Sequence, residues 1–161
     1  MMCSEKSPLV ILGKAPVIGK KGLHAHDDWP GCVVWTVGTA EIDDADRYFE
    51  FHGLNYHNRE MTRTLSKDIS HFAMFLPLNN SVCAMLVQAY LEGYKDITIA
   101  GCPMKTCAEY IEQARAVAMC VGFFNGMTYA NPLKKIKVTW LEGPKKENYF
   151  ENNSRTKTNQ S

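Results

Sequence analysis

Short hydrophobic runs alternate with helical stripes along most of the chain, and this alternation predicts a mainly parallel sheet covered by helices. Segments that are apolar, or that alternate polar with aromatic residues, are predicted to be strands at 9–12, 32–37, 46–51, 71–76, 96–100 and 135–140. Helices are predicted at 58–68, 80–93 and 106–127. The pattern predicts a single three-layer, Rossmann-like α/β domain.

Residues 80–127 are predicted to form the central unit of the fold. Their elements are, in order, a helix, a buried strand, a loop and a second helix. Asn80 or the serine after it is suited to cap the first helix, because its side-chain oxygen accepts a backbone N–H of the first turn. Apolar residues then follow in one helical stripe, and Gly93 is suited to end the helix. Thr106 and Glu109 have the spacing of a capping box that opens the second helix.

Length and composition favour one domain with a polar tail. The chain has 161 residues, of which 45% are hydrophobic, so residues 1–142 are expected to bury an ordinary core. Residues 143–161 are polar and rich in Asn, Lys and Thr, and we expect them to be disordered. A formal net charge of +1 argues against a nucleic-acid partner, which requires many cations on one face.

Cysteine spacing and hydropathy favour a cytoplasmic protein. The six cysteines show no C-x-x-C pair and no signal peptide precedes them, so reduced thiols are expected. No apolar run is long enough to cross a bilayer. No cofactor is predicted, and a homo-oligomeric state is left open.

Several turns are predicted to meet at one edge of the sheet. In a parallel sheet, the residues that follow the strands share the carboxyl edge, where open α/β sheets bind ligands. The predicted ligand-binding residues are Gly13, Lys14, Ala15, Pro16, Gly38, Thr39, His52, Asn80, Ser81, Gly101, Met104, Glu109, Tyr110 and Gln113. A phosphate is expected near Gly13, Lys14, Thr39 and Asn80, and a sugar or base near Glu109 and Gln113.

Several of these residues also have an explanation that needs no ligand. Lys14 then lies in solvent beside a plain strand-to-helix turn, since the segment is neither a Walker loop nor a dinucleotide fingerprint. Asn80 is then a helix cap and nothing more. Glu109 is already explained by the capping box, whereas Gln113 is less well explained.

Glu50 and His52 are the candidate catalytic residues, because a carboxylate near an imidazole forms an acid–base pair. The alternative is a polar strand face that is simply solvated. No G-x-S-x-G elbow supplies a nucleophile. Cys102, beside a predicted helix N-terminus, is the thiol most worth testing for reactivity, although a structural role is favoured.

A metal site is not predicted. His24, His26, Asp27 and Asp28 lie close together in sequence, but a further ligand would have to come from another segment. Residues 17–31 are expected instead to form a mixed-charge loop or a short broken helix near the first strand.

The order of segments over residues 9–140 resembles a group of small phage- and prophage-encoded Rossmann-like proteins, mostly without assigned function. The shared pattern is carried by 13–16 (Gly-x-x-Pro), Trp35, 46–52 (Asp-Arg-x-Phe-Glu-x-His), 80–93, 101–104, 109–113 and Gly122. Cys102, Pro103 and Ala114 depart from it. The first strand and its loop are also distantly similar to sugar-nucleotide-dependent sialyltransferases.

The favoured function is binding of a nucleotide-like, phosphate-bearing small molecule at the strand-end edge. The resemblance implies a phage accessory protein that holds a host defence signalling nucleotide in the host cytoplasm. One alternative is a transferase or hydrolase acting on a nucleotide or nucleotide-sugar through Glu50 and His52. A second alternative is a protein-interaction module without a ligand, which would carry an apolar surface patch.

Overall fold

The computed structural model describes residues 5–14, 25–38, 40, 42–51, 60–104 and 107–141. Within these residues, the strands are β1 (Leu9–Leu12), β2 (Val33–Val37), β3 (Arg47–Phe49), β4 (Asp96–Ala100) and β5 (Lys137–Trp140). The helices are α1 (Ala25–Asp28), α2 (Ile69–Ala73), α3 (Ser81–Leu91) and α4 (Ala108–Ala130). The predicted α/β, Rossmann-like domain is confirmed. The predicted tail, 143–161, lies outside the described residues.

The sheet is built outward from β1 in two directions. Its order is β3-β2-β1-β4-β5, and every neighbouring pair is parallel. All residues of β1 are buried, as expected for a continuous apolar strand covered on both faces. Crossovers between parallel strands are right-handed, so the side on which the next strand is added decides which face of the sheet the connecting helix covers. Because the sheet grows first on one side of β1 and then on the other, its connecting helices lie on opposite faces.

Alternate residues of the strands supply two hydrophobic cores, one on each face. Leu9 and Ile11 belong to the larger core, which also contains the buried residues of α3 and α4. Val10 and Leu12 belong to the smaller core, which includes Ala25 of α1. The sheet is therefore the middle of three layers.

Helix α3 is buried more completely than one apolar stripe would require. Every residue from Val82 to Ala89 is buried. Asn80 is the N-cap, and its Oδ1 accepts the backbone N–H of Cys83 at 3.0 Å, which confirms the predicted cap. Gly93, with φ of 88°, follows the end of the helix as predicted.

A polar network anchors the C-terminal end of α3. Buried Gln88 accepts the Ser66 N–H at 2.8 Å and donates to Glu92 Oε1 at 2.8 Å. Arg47 Nη1 of β3 donates to the same Glu92 oxygen at 2.6 Å. Burial opposes ionisation of Glu92, but the hydrogen bonds from Gln88 and Arg47 outweigh it and lower the Glu92 pKa. The network joins the third strand, the central helix and the segment before α2.

Two sequence predictions between β3 and α3 were wrong. Residues 71–76 belong to α2 and the turn after it, because Phe72 and Phe75 pack on the aromatic rings of α4, with Phe75 and Phe123 centroids 5.2 Å apart. A short apolar run cannot by itself distinguish a strand from a buried helix.

Residues 60–68, the described part of the predicted helix at 58–68, are not helical. Thr62 N donates to the Tyr48 carbonyl at 2.7 Å, and the Thr62 carbonyl accepts from Glu50 N at 3.1 Å. This segment therefore covers the outer edge of β3, which would otherwise expose unpaired backbone groups.

The start of α4 also differs from prediction. Its N-cap is Cys107, whose side chain makes no capping hydrogen bond, and Thr106 lies outside the described residues. Glu109 instead accepts from Gln113 one helical turn later, so the capping-box interpretation was wrong. β5, the last strand, lies at the sheet edge as predicted.

Candidate functional site

A cleft of about 910 Å³ opens at the carboxyl edge of the sheet. Residues at the ends of β1, β2, β3 and β4 line it, and so do the first turns of α3 and α4. It lies where the strand order reverses, between β1 and β4, which is the position at which open α/β sheets hold ligands. The same first turns carry backbone N–H groups without intrahelical acceptors, which favour an anion.

The cleft brings together most of the residues predicted from the sequence. Those that line it are Gly13, Lys14, Glu50, Asn80, Ser81, Gly101, Met104, Glu109, Tyr110 and Gln113. Ala15, Pro16, Thr39 and His52 lie outside the described residues. Segments far apart in sequence therefore converge on one hollow.

Gly38 follows β2 at the same edge but is covered. It is buried, and a β-carbon on it would overlap Met61 Sδ. Its backbone N–H donates to the Phe49 carbonyl at 2.8 Å. The packing of Met61 and the pairing with β3 therefore account for this glycine.

The floor of the cleft is a close contact between two loops. Gly13 N donates to the Ala100 carbonyl at 2.8 Å, and a β-carbon on Gly13 would overlap the Gly101 carbonyl oxygen. Gly101 itself has φ of 68°, which favours glycine. Both glycines are thus explained by the backbone, and neither adds a side chain to the floor.

Lys14 and the start of α3 supply the positive side of the cleft. Lys14 is exposed beside Gly13. Asn80 is committed to structure, since its Nδ2 donates to Asn79 Oδ1 at 2.9 Å while its Oδ1 caps α3. The groups at this end that suit an anion are therefore the Lys14 ammonium and the first-turn N–H groups of α3.

The start of α4 supplies the opposite polar wall. Gln113 Nε2 donates to Glu109 Oε1 at 3.1 Å, an i,i+4 pair on one helix face. Tyr110 lines the cleft and is half-exposed. Met104, in the loop before α4, has φ of 48°, an uncommon backbone conformation for a residue with a side chain. This wall offers carboxylate, amide and phenol groups.

Much of the cleft wall is apolar, a property that the sequence reasoning missed. The apolar lining residues are Leu12, Val37, Phe49, Phe51, Leu65, Leu78, Val82, Ala84, Met85 and Met104. Met104 alone among them was predicted to bind a ligand, and Leu65 and Leu78 come from the region between β3 and α3 whose elements were misassigned. Mostly apolar walls with a few polar groups are typical of small-molecule sites.

Glu50 is the buried carboxyl group of the cleft. It lies just after β3 with 4% of its surface exposed, and its backbone is held by Thr62. Its proposed partner His52 lies outside the described residues. The acid–base pairing of the two side chains therefore stays a prediction.

The described cysteines are free thiols, and Cys102 is buried in the cleft wall. Its Sγ donates to the Ala100 carbonyl at 3.5 Å, and its carbonyl accepts from Trp140 Nε1 at 3.0 Å. A hydrogen bond with Cys120 and burial together raise the pKa of Cys83. Cys107 is the exposed one among them. Among these thiols, that of Cys102 is buried and bonded to the Ala100 carbonyl, which favours a structural role.

His26, one of the four residues weighed above as metal ligands, makes other contacts. His26 Nε2 lies 3.1 Å from Asp46 Oδ2. Asp44 accepts the backbone N–H groups of Ala25 and His26, at 2.7 Å and 3.0 Å. Among the described residues, no group of three or more potential ligands is arranged for a metal ion.

The chain has no significant match among protein-family models, curated proteins or solved structures. The likeness to small phage proteins therefore stays a prediction made from the sequence. In the part of the chain that the structure describes, no helix combines the length and hydrophobicity needed to cross a bilayer.

Proposed function

We propose that the protein binds a nucleotide-like, phosphate-bearing small molecule in the cleft. The observation that carries the proposal is the position of the cleft at the reversal of strand order, lined by two helix N-termini. Its volume of about 910 Å³ falls in the range of sites for small ligands.

The chemistry of the walls supports one orientation of such a ligand. The phosphate lies over the glycine floor, near Lys14 and the first turn of α3, where positive charge and N–H groups are concentrated. The sugar or base lies toward α4, where Glu109 and Gln113 offer hydrogen bonds to hydroxyl or ring N–H groups. The apolar residues between them contact the faces of the base.

The biological role that we propose follows from the sequence resemblance. A phage accessory protein with this cleft would hold a host defence signalling nucleotide away from its receptor.

A second candidate is a transferase or hydrolase acting on a nucleotide or nucleotide-sugar. The buried Glu50 favours it, because a carboxyl group at a ligand cleft is suited to general acid–base catalysis.

Mass spectrometry of co-purifying molecules, together with a thermal-shift panel of nucleotides, tests the proposal. A binder releases an intact phosphate-bearing compound on denaturation, and the same compound raises the melting temperature. Products that accumulate over repeated turnovers would establish the enzyme instead. If no nucleotide or nucleotide-sugar shifts the melting temperature and none co-purifies, the proposal is wrong.

A further inference from the structure

The outward face of α4 carries exposed hydrophobic residues along its length. Ile111 is 47% exposed, Met119 57% and Tyr129 93%, and Leu133, just after the helix, is 86% exposed. Residues at steps of three or four lie on one helix face, and such steps lead from Ile111 to Tyr129. This stripe, which we call the α4 face, consists of residues 111, 115, 118, 119, 122, 126 and 129.

Two glycines lie in the α4 face where no contact of the described residues accounts for them. Gly122 and Gly126 are in the helix interior, and a β-carbon on either would meet no described atom within 4 Å. Neither has a positive φ. Glycine costs a helix about 1 kcal/mol relative to alanine at such a position. What glycine permits is the close approach of another backbone.

The α4 face is complementary to itself in the antiparallel direction. In an antiparallel pair of helices, residues equally far before and after Gly122 face each other. Ala118 of one copy then faces Gly126 of the other, and Arg115 faces Tyr129. Both matches are between positions of the helix itself, and they join small with small and cation with aromatic ring. A two-fold axis requires this correspondence. If one residue contacts a second residue of the other copy, then the second residue of the first copy contacts the first residue of the other.

The charges at the two ends of the helix also match in this direction. The first turns of α4 carry Glu112, which pairs with Arg115 of the α4 face, whereas the segment after the helix carries Lys134 and Lys135. An antiparallel copy brings the acidic end of each helix beside the basic end of the other. A parallel copy would place like charges together.

We propose that a second copy of this chain packs on the α4 face, with the helices antiparallel and the two-fold axis at Gly122. This inference is independent of the ligand in the cleft. A single pair of packed helices buries less accessible surface than the roughly 1,600 Å² of a standard protein–protein interface. We therefore expect the dimer to have a dissociation constant in the micromolar range.

Analytical ultracentrifugation of the full chain, from low micromolar to several hundred micromolar, tests the dimer. The apparent mass is expected to rise from one chain to two. Gly122→Glu places two carboxylates at the axis and is expected to weaken association at least tenfold. Ser70→Glu, at an exposed helical position of α2 outside the face, is expected to leave association unchanged.

Two further variants separate an interface from a structural role. Replacing Gly122 and Gly126 together with alanine is expected to raise the melting temperature while weakening the dimer. Lys135→Glu is expected to weaken the dimer several-fold, and Glu112→Lys in the same chain to restore part of it. A wild-type chain that stays monomeric throughout, or a dimer that Gly122→Glu leaves intact, overturns the proposal.

Discussion

The backbone of Gly13 lies directly against the carbonyl group of Gly101. The two glycines end neighbouring parallel strands, and the Gly13 N–H is bonded to the Ala100 carbonyl at 2.8 Å. A β-carbon on Gly13 would overlap both the Gly101 oxygen and Cys102 Sγ, the latter at 2.5 Å. The floor of the cleft therefore depends on the absence of a side chain at Gly13.

Gly13→Ala is expected to destabilise the protein by about 1–3 kcal/mol, because the added methyl group must displace buried backbone. Urea denaturation followed by circular dichroism measures the loss. Gly122→Ala is the matched control, and we expect it to be neutral or stabilising, since its methyl group meets open space. Equal effects of the two substitutions would contradict this account.

Lys14→Ala is expected to weaken binding of an anionic ligand by about 1.5–3 kcal/mol, roughly 10- to 150-fold, through loss of a charge-assisted contact. Isothermal titration calorimetry with the co-purified compound measures it. Stability should not change, because Lys14 is exposed.

Lys95→Ala is the control for Lys14, because Lys95 is exposed and lies at the opposite, amino end of β4. It is expected to bind the ligand as the wild type does. Unchanged affinity in Lys14→Ala would remove this lysine from the site.

Asn80→Ala is expected to cost about 1 kcal/mol of folding free energy, because the cap on the Cys83 N–H is lost. For a chain of this length, that corresponds to a fall of roughly 2–4 °C in melting temperature by differential scanning calorimetry. Asn80→Asp retains a capping oxygen and should keep most of the stability. A fall of the same size in Asn80→Asp would show that the amide group, not the cap, is important.

Glu92 is expected to make the protein less stable in acid. Its pKa is lowered in the folded state, so the folded protein binds fewer protons than the unfolded chain. The stabilisation is present above the ordinary pKa of 4.5 and is lost as the pH falls through the lower, folded-state value. Denaturation curves at several pH values measure this. The free energy of unfolding should fall less steeply with falling pH in Glu92→Gln than in the wild type.

Glu112→Gln is the control for this acid dependence. The Glu112 side chain is 65% exposed and pairs with Arg115 at the surface. Such exposed ion pairs contribute little to stability. The free energy of unfolding of Glu112→Gln should therefore change with pH as that of the wild type does. If the free energy of unfolding of Glu92→Gln falls in acid as steeply as that of the wild type, Glu92 contributes no acid-dependent stability.

Local signals in the sequence were sufficient for most of the fold. The apolar runs of β1 and β4 are long enough, and flanked clearly enough by turn residues, to identify buried strands. Asn80 and Gly93 mark the ends of α3 by conformational preferences that act within a few residues. Parallel pairing then follows from the alternation of strands and helices.

Local signals failed where distant contacts decided the conformation. The run containing Phe72 has the composition of a strand, but the aromatic rings of α4 make it a helix. Residues near Thr62 have a polar, helix-like pattern, but the unpaired edge of β3 holds them extended. Neither partner can be identified from the segment itself.

The sequence by itself determined that loops after several strands would share one edge, because strand direction is a consequence of chain order. Only the tertiary structure decided that this edge contains a cleft with largely apolar walls, and that Gly38 lies beneath Met61 instead of lining it. Chain order and local preference act along the backbone, whereas the shape and polarity of a hollow depend on which side chains from distant segments fill the space around it.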